Sequence, residues 1–337
     1  MTLFTRREFI KETGVASIAL AAPLYLPNLS SNKKMEKNNT HFDVIIIGGS
    51  YSGLAAGMAL GRALRKVLII DNGKPCNQQT PHSHNFITQD GKTPQAIAAL
   101  AKLQVQQYPT VSFFEGLAIQ GIKTNEGFKI QTKSGKAFQA KQLIFATGIK
   151  DMFPNIEGFA QCWGISILHC PYCHGYEVRN KPTGILSNGT FGFEFSGLIS
   201  NWTQDLTLFT NGSSTLTIDQ TAKLKSKNIK IVENRIEKFT HEKGYLKHIH
   251  FKNGGTASVR AIYAKVPFIQ HCGIPEALGC ALNEDGYIQV NPQQQTSVAG
   301  VYACGDNTTR MRTVANAVSM GTTAGMMLNK ALVLEKF

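Results

Sequence analysis

The sequence predicts an α/β fold that contains two strand–turn–helix–strand units of the Rossmann type. The first observation is a β-branched stretch typical of a buried strand, residues 42–47, followed at once by the Gly-rich segment 48–53. The second is another predicted strand, residues 182–186, followed by a weaker Gly-containing segment, residues 187–192. The third is the length of 337 residues with 42% hydrophobic residues, which suits about two domains.

Composition excludes a disordered chain and argues against nucleic-acid binding. The chain carries 35 basic and 22 acidic residues, a formal net charge of +13. The basic residues are scattered singly and do not form the clustered patch typical of nucleic-acid-binding proteins. Seven cysteines are too sparse for a small disulfide-stapled fold, and their odd number leaves at least one unpaired. We therefore expect a globular protein with no nucleic-acid partner.

Residues 1–30 have the shape of a twin-arginine export signal. An arginine pair at residues 6–7 precedes a short, weakly apolar run, residues 14–26, which is too short for an ordinary membrane span. A polar linker follows over residues 31–40. We expect a periplasmic protein with no stable membrane span after signal removal; an uncleaved anchoring helix is the alternative.

The first Gly-rich segment is typical of a dinucleotide site. Gly48 permits a tight turn, Gly53 allows close packing of helix on strand, and the N-terminus of the predicted helix 54–64 receives a pyrophosphate. The next predicted strand, residues 66–70, ends in Asp71, whose spacing suits an acid that binds a ribose hydroxyl. A Gly-rich turn in an unrelated α/β fold is the alternative. The residues expected to contact the dinucleotide are Gly48, Ser50, Tyr51, Ser52, Gly53 and Asp71.

Three later segments add a redox function. Residues 143–148 and 300–306 are predicted strands that end in the small-residue turns Ala-Thr-Gly and Cys-Gly-Asp. Between them, residues 169–174 read His-Cys-Pro-Tyr-Cys-His. Cys-x-x-Cys spacing brings two sulfurs within bridging distance, and a flanking histidine can accept a thiol proton. A zinc site that uses the same segment and Cys162 is the alternative, but a second ligand pair that would complete it is missing. We therefore expect no metal.

The order of these motifs resembles the flavoprotein disulfide reductases, and most specifically the low-molecular-weight thioredoxin reductases. The resemblance covers residues 42–334. It implies FAD at the first site, with Ala146 in the Ala-Thr-Gly turn and Asp306 on the ribityl chain. It also implies that Cys173 faces the flavin, that Cys170 exchanges with the substrate, and that the protein is a homodimer.

His174 stands where thioredoxin reductases carry an aspartate after the second cysteine. This departure, with Pro-Tyr between the cysteines, is similar to the flavin dithiol oxidases that close disulfides in epipolythiodioxopiperazine and holomycin-type metabolites. By position in those oxidases, His84 would lie against the FAD. The resemblance implies catalysis by Cys170, Cys173 and His174, with a thioredoxin-like protein or a small dithiol as substrate.

The second Gly-containing segment departs from an NADPH site. Ser187 replaces its first glycine, and the strand 206–209 is followed by residues 210–214, which contain neither the arginines that bind a 2′-phosphate nor the acid that binds an NAD ribose. NAD(P)H is therefore doubtful as a cofactor, and we expect reduced flavin to pass electrons to oxygen or another acceptor. An NAD(P)H-dependent reductase that binds weakly through Gly189 and Gly192 is the alternative.

The motif order also predicts how the domains are arranged. The FAD-binding domain is discontinuous and comprises residues 41–151 and 267–337. The inserted NAD(P)-like domain comprises residues 152–266 and carries the Cys-x-x-Cys segment.

Overall fold

The computed structural model describes residues 40–335 and 337. The predicted export signal, residues 1–30, and all but the last residue of the predicted linker 31–40 lie outside the described residues. No helix in the described part of the chain combines the length and the apolar character needed to cross a membrane.

The elements of the described residues alternate between strands and helices along most of the chain. The strands are β1 His41–Ile47, β2 Val67–Asp71, β3 Val111–Glu115, β4 Ala118–Thr124, β5 Gly127–Thr132, β6 Ala137–Phe145, β7 Ile149–Asp151, β8 Ile167–Leu168, β9 Thr183–Leu186, β10 Leu206–Phe209, β11 Lys230–Val232, β12 Ile236–Glu242, β13 Tyr245–Phe251, β14 Thr256–Ala257, β15 Ala261–Ala264, β16 Phe268–Gln270 and β17 Val301–Ala303. The helices are α1 Tyr51–Arg62, α2 Pro94–Gln106, α3 Phe159–Cys162, α4 Pro171–His174, α5 Gly189–Ile199, α6 Ile218–Ser226, α7 Ile274–Ala277 and α8 Val314–Leu334.

A seven-stranded sheet forms the first half of the molecule. Its order is β3-β2-β1-β6-β5-β4, and β17 pairs with the C-terminal half of β6. The strands β3, β2, β1, β6 and β17 are parallel, whereas β4 and β5 form an antiparallel extension. Val44, Ile45 and Ile46 of β1 are fully buried, as expected of a parallel strand covered on both faces.

Helices α1 and α8 pack closely against each other because both carry small residues where they meet. A Cβ at Gly321 of α8 would clash with the carbonyl of Ser52 in α1. A Cβ at Gly325 would come too close to the backbone of Ala56. This close approach brings the C-terminal helix beside the N-terminus of α1, where the first Gly-rich segment lies.

The second half of the molecule contains a five-stranded parallel sheet in the order β11-β10-β9-β15-β8. A three-stranded antiparallel sheet, β12-β13-β14, packs beside it. The predicted α/β class with two Rossmann-like units is therefore confirmed by the topology.

Two short antiparallel strands, β7 and β16, connect the halves. Asp151 pairs with Phe268 in this two-stranded sheet. Because β7 ends at residue 151 and β16 begins at residue 268, these strands lie at the two predicted domain boundaries.

Most predicted strands agree with the structure to within two residues, but the first helix begins earlier than predicted. The sequence predicted residues 54–64, whereas α1 is Tyr51–Arg62. Ser50 has extended backbone angles and occupies the N-cap position, so the Gly-rich segment itself supplies the first helical turn.

Candidate active site

The first Gly-rich turn is compact because two glycines make close backbone contacts. Gly48 has a φ of +103°, and a Cβ there would clash with the carbonyl oxygen of Ala146. A Cβ at Gly53 would clash with the carbonyl oxygen of Gly48. Gly53 thus acts in packing, as its position in the fingerprint suggested. These contacts leave the N-terminus of α1 facing the carboxyl ends of the parallel strands, the usual ligand side of such a sheet.

Asp71, at the end of β2, has its carboxylate oriented by two backbone amides. Gly49 N donates to Oδ1 at 2.8 Å, and Gly73 N donates to Oδ2 at 3.0 Å. The N-cap residue Ser50 makes no side-chain capping bond. The backbone N–H groups of the first helical turn therefore have no side-chain acceptor from the N-cap and can bind an anionic group.

A large cavity of about 1160 Å³ opens at this helix N-terminus. Its volume slightly exceeds the usual range for ligand pockets, as a dinucleotide requires. Two of the predicted FAD contacts, Gly53 and His84, are not part of its wall. The predicted residues that line it are Gly48, Ser50, Tyr51, Ser52, Asp71, Ala146 and Asp306.

His84 is not a lining residue of the large cavity. Its ring is positioned between two carboxylates, with Nδ1 3.7 Å from Asp90 Oδ1 and Nε2 3.6 Å from Glu177 Oε1. The loop that carries His84 thus meets Glu177 in the segment after the dithiol. The contact of His84 with FAD stays a prediction.

A buried charged cluster beside the cavity was not predicted from the sequence. Arg312 donates from Nη1 and Nη2 to the two carboxylate oxygens of Asp151 at 2.8 and 3.0 Å, and its Nε lies 3.5 Å from Asp306 Oδ2. Burial raises the pKa of Asp306, and the positive charge of Arg312 opposes that rise. No local spacing could have revealed this cluster, because Arg312 and Asp151 are 161 residues apart.

The two cysteines of the Cys-x-x-Cys segment form a disulfide, with Cα atoms 5.3 Å apart. Cys170 is the N-cap of the short helix α4, and the backbone N–H of Cys173 donates to its Sγ at 3.2 Å. Once the disulfide opens, this donor stabilises a thiolate at Cys170.

His174 lines the large cavity directly after the second cysteine. Burial lowers the pKa of His174 to about 4, and a charge on His84 would add to this effect. The ring is therefore neutral near pH 7 in the disulfide form, and it can accept a proton when a thiolate develops beside it.

His169 also lines the cavity, although the sequence favoured only His174 for catalysis. Its ring stacks on Trp163, with ring centroids 5.8 Å apart and planes at 25°. Burial lowers the pKa of His169 to about 3, so the ring is neutral, and its buried Nε2 has no hydrogen-bond partner among the residues that the structure describes. An unpaired buried nitrogen is costly, which indicates a ligand atom at this end of the cavity.

These observations fit FAD. The open helix N-terminus suits a pyrophosphate, Asp71 suits a ribose, and the cavity extends to two neutral histidines that flank the dithiol. Since a dithiol and a flavin must be close to exchange electrons, the end of the cavity at His169 and His174 is the place for the flavin ring.

In the second Rossmann-type unit, the chain itself occupies part of the helix N-terminus. Asn188 is the N-cap of α5, and its Oδ1 accepts from Gly189 N at 2.8 Å and from Thr215 N at 2.9 Å. Its Nδ2 donates to the carbonyl of Ser213 at 2.9 Å. These bonds hold the loop after β10 next to the first turn of α5.

The remaining thiols and metal-ligand candidates form no second site among the residues described here. Cys272 and Cys280 are free thiols and do not bridge. Within residues 40–335 and 337, no three His, Cys, Asp or Glu side chains are grouped so that they could bind a metal ion. In addition, the disulfide removes Cys170 and Cys173 from the thiolate ligands of the alternative zinc site.

Comparison with known proteins gives one family over most of the chain. The profile of the family described as pyridine nucleotide-disulphide oxidoreductase matches residues 42–321.

Similar proteins include two fungal thioredoxin reductases. One, tcpT of Claviceps purpurea (strain 20.1), is 30% identical over 306 residues, which cover 87% of this chain and 95% of the relative. The other, sirT of Leptosphaeria maculans, is 29% identical over 306 residues, covering 86% and 93% of the two chains. The crystal structure of an oxidoreductase from Agrobacterium tumefaciens has 33% identity and a TM-score of 0.82, and covers 87% of this chain and 99% of its own.

Proposed function

We propose that this chain, which belongs to the pyridine nucleotide-disulphide oxidoreductase family, is a flavin-dependent dithiol oxidase. It is a thioredoxin reductase-like, FAD-dependent oxidoreductase that acts on a sulfur group. The proposal concerns the direction and the acceptor. A substrate dithiol reduces the Cys170–Cys173 disulfide, the pair passes two electrons to FAD, and oxygen or another acceptor takes them from the flavin.

The observation that most strongly supports this direction is the closed second unit. A reductase of this family must bind NAD(P)H, and the natural place is the N-terminus of α5. There the Asn188 side chain already accepts from the amides of Gly189 and Thr215. A nucleotide phosphate would have to displace these bonds and the loop that they hold. Electrons from a dithiol need no such rearrangement.

The two cysteines have different roles in the proposed reaction. A substrate thiolate attacks Cys170 Sγ, breaks its bond to Cys173, and forms a mixed disulfide. The second substrate thiol attacks the substrate sulfur of that bond and releases Cys170, whose thiolate is stabilised by the N–H of Cys173. The substrate thus loses two electrons and two protons and becomes a disulfide, and the protein pair becomes a dithiol.

His174 acts as the proton acceptor and donor in this exchange. Its neutral ring accepts the proton that the dithiol releases and passes it on toward solvent when the pair is oxidised again. Bound FAD supplies a two-electron acceptor that thiolates can reduce and oxygen can reoxidise. The residues that would bind it are those of the α1 N-terminus, with Asp71 at the ribose and Asp306 at the ribityl chain.

An NAD(P)H-dependent thioredoxin reductase is the second candidate. The names of the fungal relatives favour it, since both are called thioredoxin reductases. Gly189 and Gly192 also remain at the start of α5. In this case electrons would run from the nicotinamide to the disulfide of a thioredoxin-like protein.

The source of electrons decides between the two candidates. The purified flavoprotein is mixed anaerobically with dithiothreitol, NADPH or NADH, and the visible flavin absorbance is followed in a stopped-flow instrument. We expect dithiothreitol to bleach the flavin within seconds and both nicotinamides to bleach it at least about a hundredfold more slowly, as expected when binding loses roughly 3 kcal/mol. Faster bleaching by NADPH than by the dithiol would reverse the assignment.

Two cysteine variants test the route through the disulfide. Cys173→Ser should keep its FAD and resist bleaching by dithiothreitol. Cys280→Ser is the matched control, because Cys280 is a buried free thiol that contacts Thr296 and lies outside the cavity wall. Equal bleaching of the Cys173→Ser variant and the parent would refute the dithiol route.

We also propose that the protein is exported through the twin-arginine route and acts in the periplasm as a homodimer. The basis is the arginine pair at residues 6–7 and the following apolar run, together with the dimeric state that the resemblance implies. Export should be lost when both arginines are replaced by lysine, as measured by cell fractionation. Light scattering on the purified protein measures its mass, and a monomer mass would contradict the dimer.

A further inference from the structure

A buried group of side chains around Arg312 joins the two predicted domains beside the large cavity. Arg312 and Asp306 belong to the predicted FAD-binding domain, Asp151 ends β7 at the domain boundary, and Trp163 belongs to the predicted inserted domain. Arg312 donates to both carboxylate oxygens of Asp151, and the indole N–H of Trp163 donates to Asp151 Oδ2 at 3.1 Å. We call Asp151, Trp163, Asp306 and Arg312 the Arg312 cluster.

Trp163 connects the Arg312 cluster to the dithiol segment. Its ring stacks on Phe159 and on His169, with ring centroids 5.8 Å apart in both pairs and planes at 22° and 25°. His169 directly precedes Cys170 in the chain. A tryptophan with two stacked neighbours and a hydrogen-bonded N–H is held in one orientation. The bond to Asp151 therefore helps to determine where the dithiol segment begins in space.

A second contact crosses between the same two parts of the chain. The side-chain amide of Gln79 donates to the backbone carbonyl of Trp163. The next residue, Gly164, has a φ of +74°, and a Cβ there would lie only 2.9 Å from Thr80 Oγ1. The loop after β2 thus touches the segment that leads to the dithiol. Trp163 is tied to the FAD side of the molecule through both its side chain and its backbone.

The ion pair of the Arg312 cluster is buried. The side chains of Asp151 and Arg312 are 8% and 13% exposed. When one partner of a buried ion pair moves away, the other charge is left uncompensated, so the two side chains hold each other in place. Arg312 Nε has no hydrogen-bond partner among the described residues and lies 3.5 Å from Asp306 Oδ2. The cluster therefore ends at the carboxylate that the resemblance assigns to the ribityl chain.

We propose that Arg312, Asp151 and Trp163 are positioning residues through which bound FAD holds the dithiol segment in place. A cofactor in the cavity displaces water from the cluster, and an ion pair that water no longer screens is harder to separate. The pair then holds Trp163, which in turn holds the start of the dithiol segment. The residues of this path that line the large cavity are Trp163, His169, Asp306 and Arg312.

This coupling does not depend on the direction of electron flow. A dithiol and a flavin must be held close together whether electrons run from substrate to flavin or from a nicotinamide to a disulfide. Faster bleaching of the flavin by NADPH than by dithiothreitol would reverse the proposed function and leave the coupling intact. Loss of the coupling would leave the choice between the two electron sources unchanged.

Hydrogen exchange of the full chain tests the coupling, at FAD concentrations from below to above the dissociation constant. Peptides that cover residues 163–174 should exchange at least about threefold more slowly when FAD is bound. Residues 245–251 of β13 should not respond, because they lie outside the large cavity. No slowing of residues 163–174, or equal slowing of β13, would overturn the proposal.

Trp163→Phe then removes the link to Asp151. This variant keeps a ring for the stack on His169 but has no N–H to donate. It should bind FAD within about twofold of the affinity of the parent, whereas FAD should no longer slow exchange over residues 163–174. A change in packing alone would alter exchange equally with and without FAD and would leave the slowing intact. Equal slowing by FAD in this variant and in the parent would refute the role of Trp163.

Trp202→Phe is the matched control. Trp202 is the other tryptophan of the chain and packs on the dithiol turn, where its ring meets Tyr172 edge to face at 5.6 Å. It belongs neither to the Arg312 cluster nor to the wall of the large cavity. FAD should slow exchange over residues 163–174 in this variant as it does in the parent. Loss of the slowing in both tryptophan variants would refute the role of the bond to Asp151.

Two arginines that lie two residues apart test the ion pair. Arg312→Met leaves Asp151 uncompensated beside the FAD site, so FAD should bind at least about tenfold more weakly. Arg310→Met is its control, because Arg310 pairs with Asp285 at the surface and lies outside the cavity wall; its FAD affinity should be that of the parent. An FAD affinity of Arg312→Met equal to that of the parent would overturn the proposal.

Two conservative variants keep this test decisive if Arg312→Met does not fold. Asp151→Asn preserves the size of the side chain and removes its charge, so FAD should no longer slow exchange over residues 163–174. Arg312→Lys keeps the charge but cannot bind both carboxylate oxygens in the fork geometry of a guanidinium, so its slowing should lie between those of the parent and Asp151→Asn. Slowing equal to that of the parent in Asp151→Asn would refute the ion pair as the connection.

Discussion

The two Rossmann-type units of this protein share the order strand, turn, helix and strand, but they differ in the hydrogen bonds made by the N-cap side chain of the helix. In the first unit, the N-cap Ser50 makes no side-chain bond, and the N–H groups of α1 face a cavity of about 1160 Å³. In the second unit, the N-cap Asn188 binds the amides of Gly189 and Thr215, and the loop after β10 lies over the end of α5. The two units therefore differ in how many amides of the first helical turn the chain leaves without a side-chain acceptor.

The residues after the second strand of each unit reinforce this difference. Asp71 ends β2, and its carboxylate is tied back to the glycine turn by Gly49 N. At the corresponding place after β10, Thr210 Oγ1 donates to the carbonyl of Gly212, which curls the loop. Where the first unit has an acid that can accept a ribose hydroxyl, the second unit thus has a local turn.

The largest expected effect comes from a substitution that blocks the Gly-rich turn of the first unit. Gly48→Ala forces a Cβ toward the carbonyl of Ala146 at a φ of +103°. Backbone strain of this kind costs about 1–3 kcal/mol, and the clash adds to it. We therefore expect at least about a tenfold loss of FAD affinity. The flavin-to-protein ratio after gel filtration and a titration with FAD measure the loss.

The matched change in the second unit is Gly192→Ala. A Cβ there would lie 3.3 Å from both Leu208 Cδ1 and the backbone carbonyl carbon of Ser187, so neighbours need shift by only a few tenths of an ångström, and α5 gains a better helix former. FAD content should remain that of the parent. If both variants lose FAD equally, the contrast between the two units is wrong.

An intermediate effect concerns pH, because two neutral histidines lie in the large cavity. Burial lowers the pKa of His169 to about 3 and that of His174 to about 4. In the unfolded chain both rings take up protons below about pH 6.5, whereas the folded protein takes them up only below about pH 4. The free energy of unfolding should therefore fall as the pH falls from 6.5 to 4.5, by about 1.4 kcal/mol per pH unit for each ring.

Urea unfolding at a series of pH values measures this slope. His169→Phe keeps a ring against Trp163 and removes one titrating group, so its slope should be smaller than that of the parent by about 1.4 kcal/mol per pH unit. His248→Phe is the control, since the ring of His248 is exposed and hydrogen-bonds to Ser258 Oγ at the surface. Parallel slopes for the parent and His169→Phe would contradict a buried neutral His169.

The smallest effect compares the two N-caps directly. Asn188→Ala removes the acceptor of two amides and should lower the free energy of unfolding by about 1 kcal/mol. Ser50→Ala removes no capping bond and should change it by less than about 0.3 kcal/mol. Urea unfolding measures both, and hydrogen exchange at the amide of Thr215 should become faster only in the Asn188 variant. Equal losses would show that the cap of α5 does not close the second unit.

Much of the fold and of the first site follows from the sequence alone. The β-branched run of β1, the glycines at 48 and 53, and the acid at 71 lie close together along the chain, so their spacing already specifies a strand, a turn and a helix N-terminus. The same holds for Cys170 and Cys173, since two cysteines three residues apart on a helical turn are within bridging distance. The sequence also indicated that the second unit lacks an NADPH fingerprint.

Only the tertiary structure decided which distant residues meet. Arg312 binds Asp151, His84 lies between Asp90 and Glu177, and the loop of residues 211–215 covers α5. These contacts depend on how sheets and loops pack, and side chains far apart in sequence leave no periodic signal. The resemblance implied His84 at the flavin, and only the fold shows that its ring also meets two carboxylates. Local spacing determined the chemistry that this chain carries, and packing determined where each reactant can reach it.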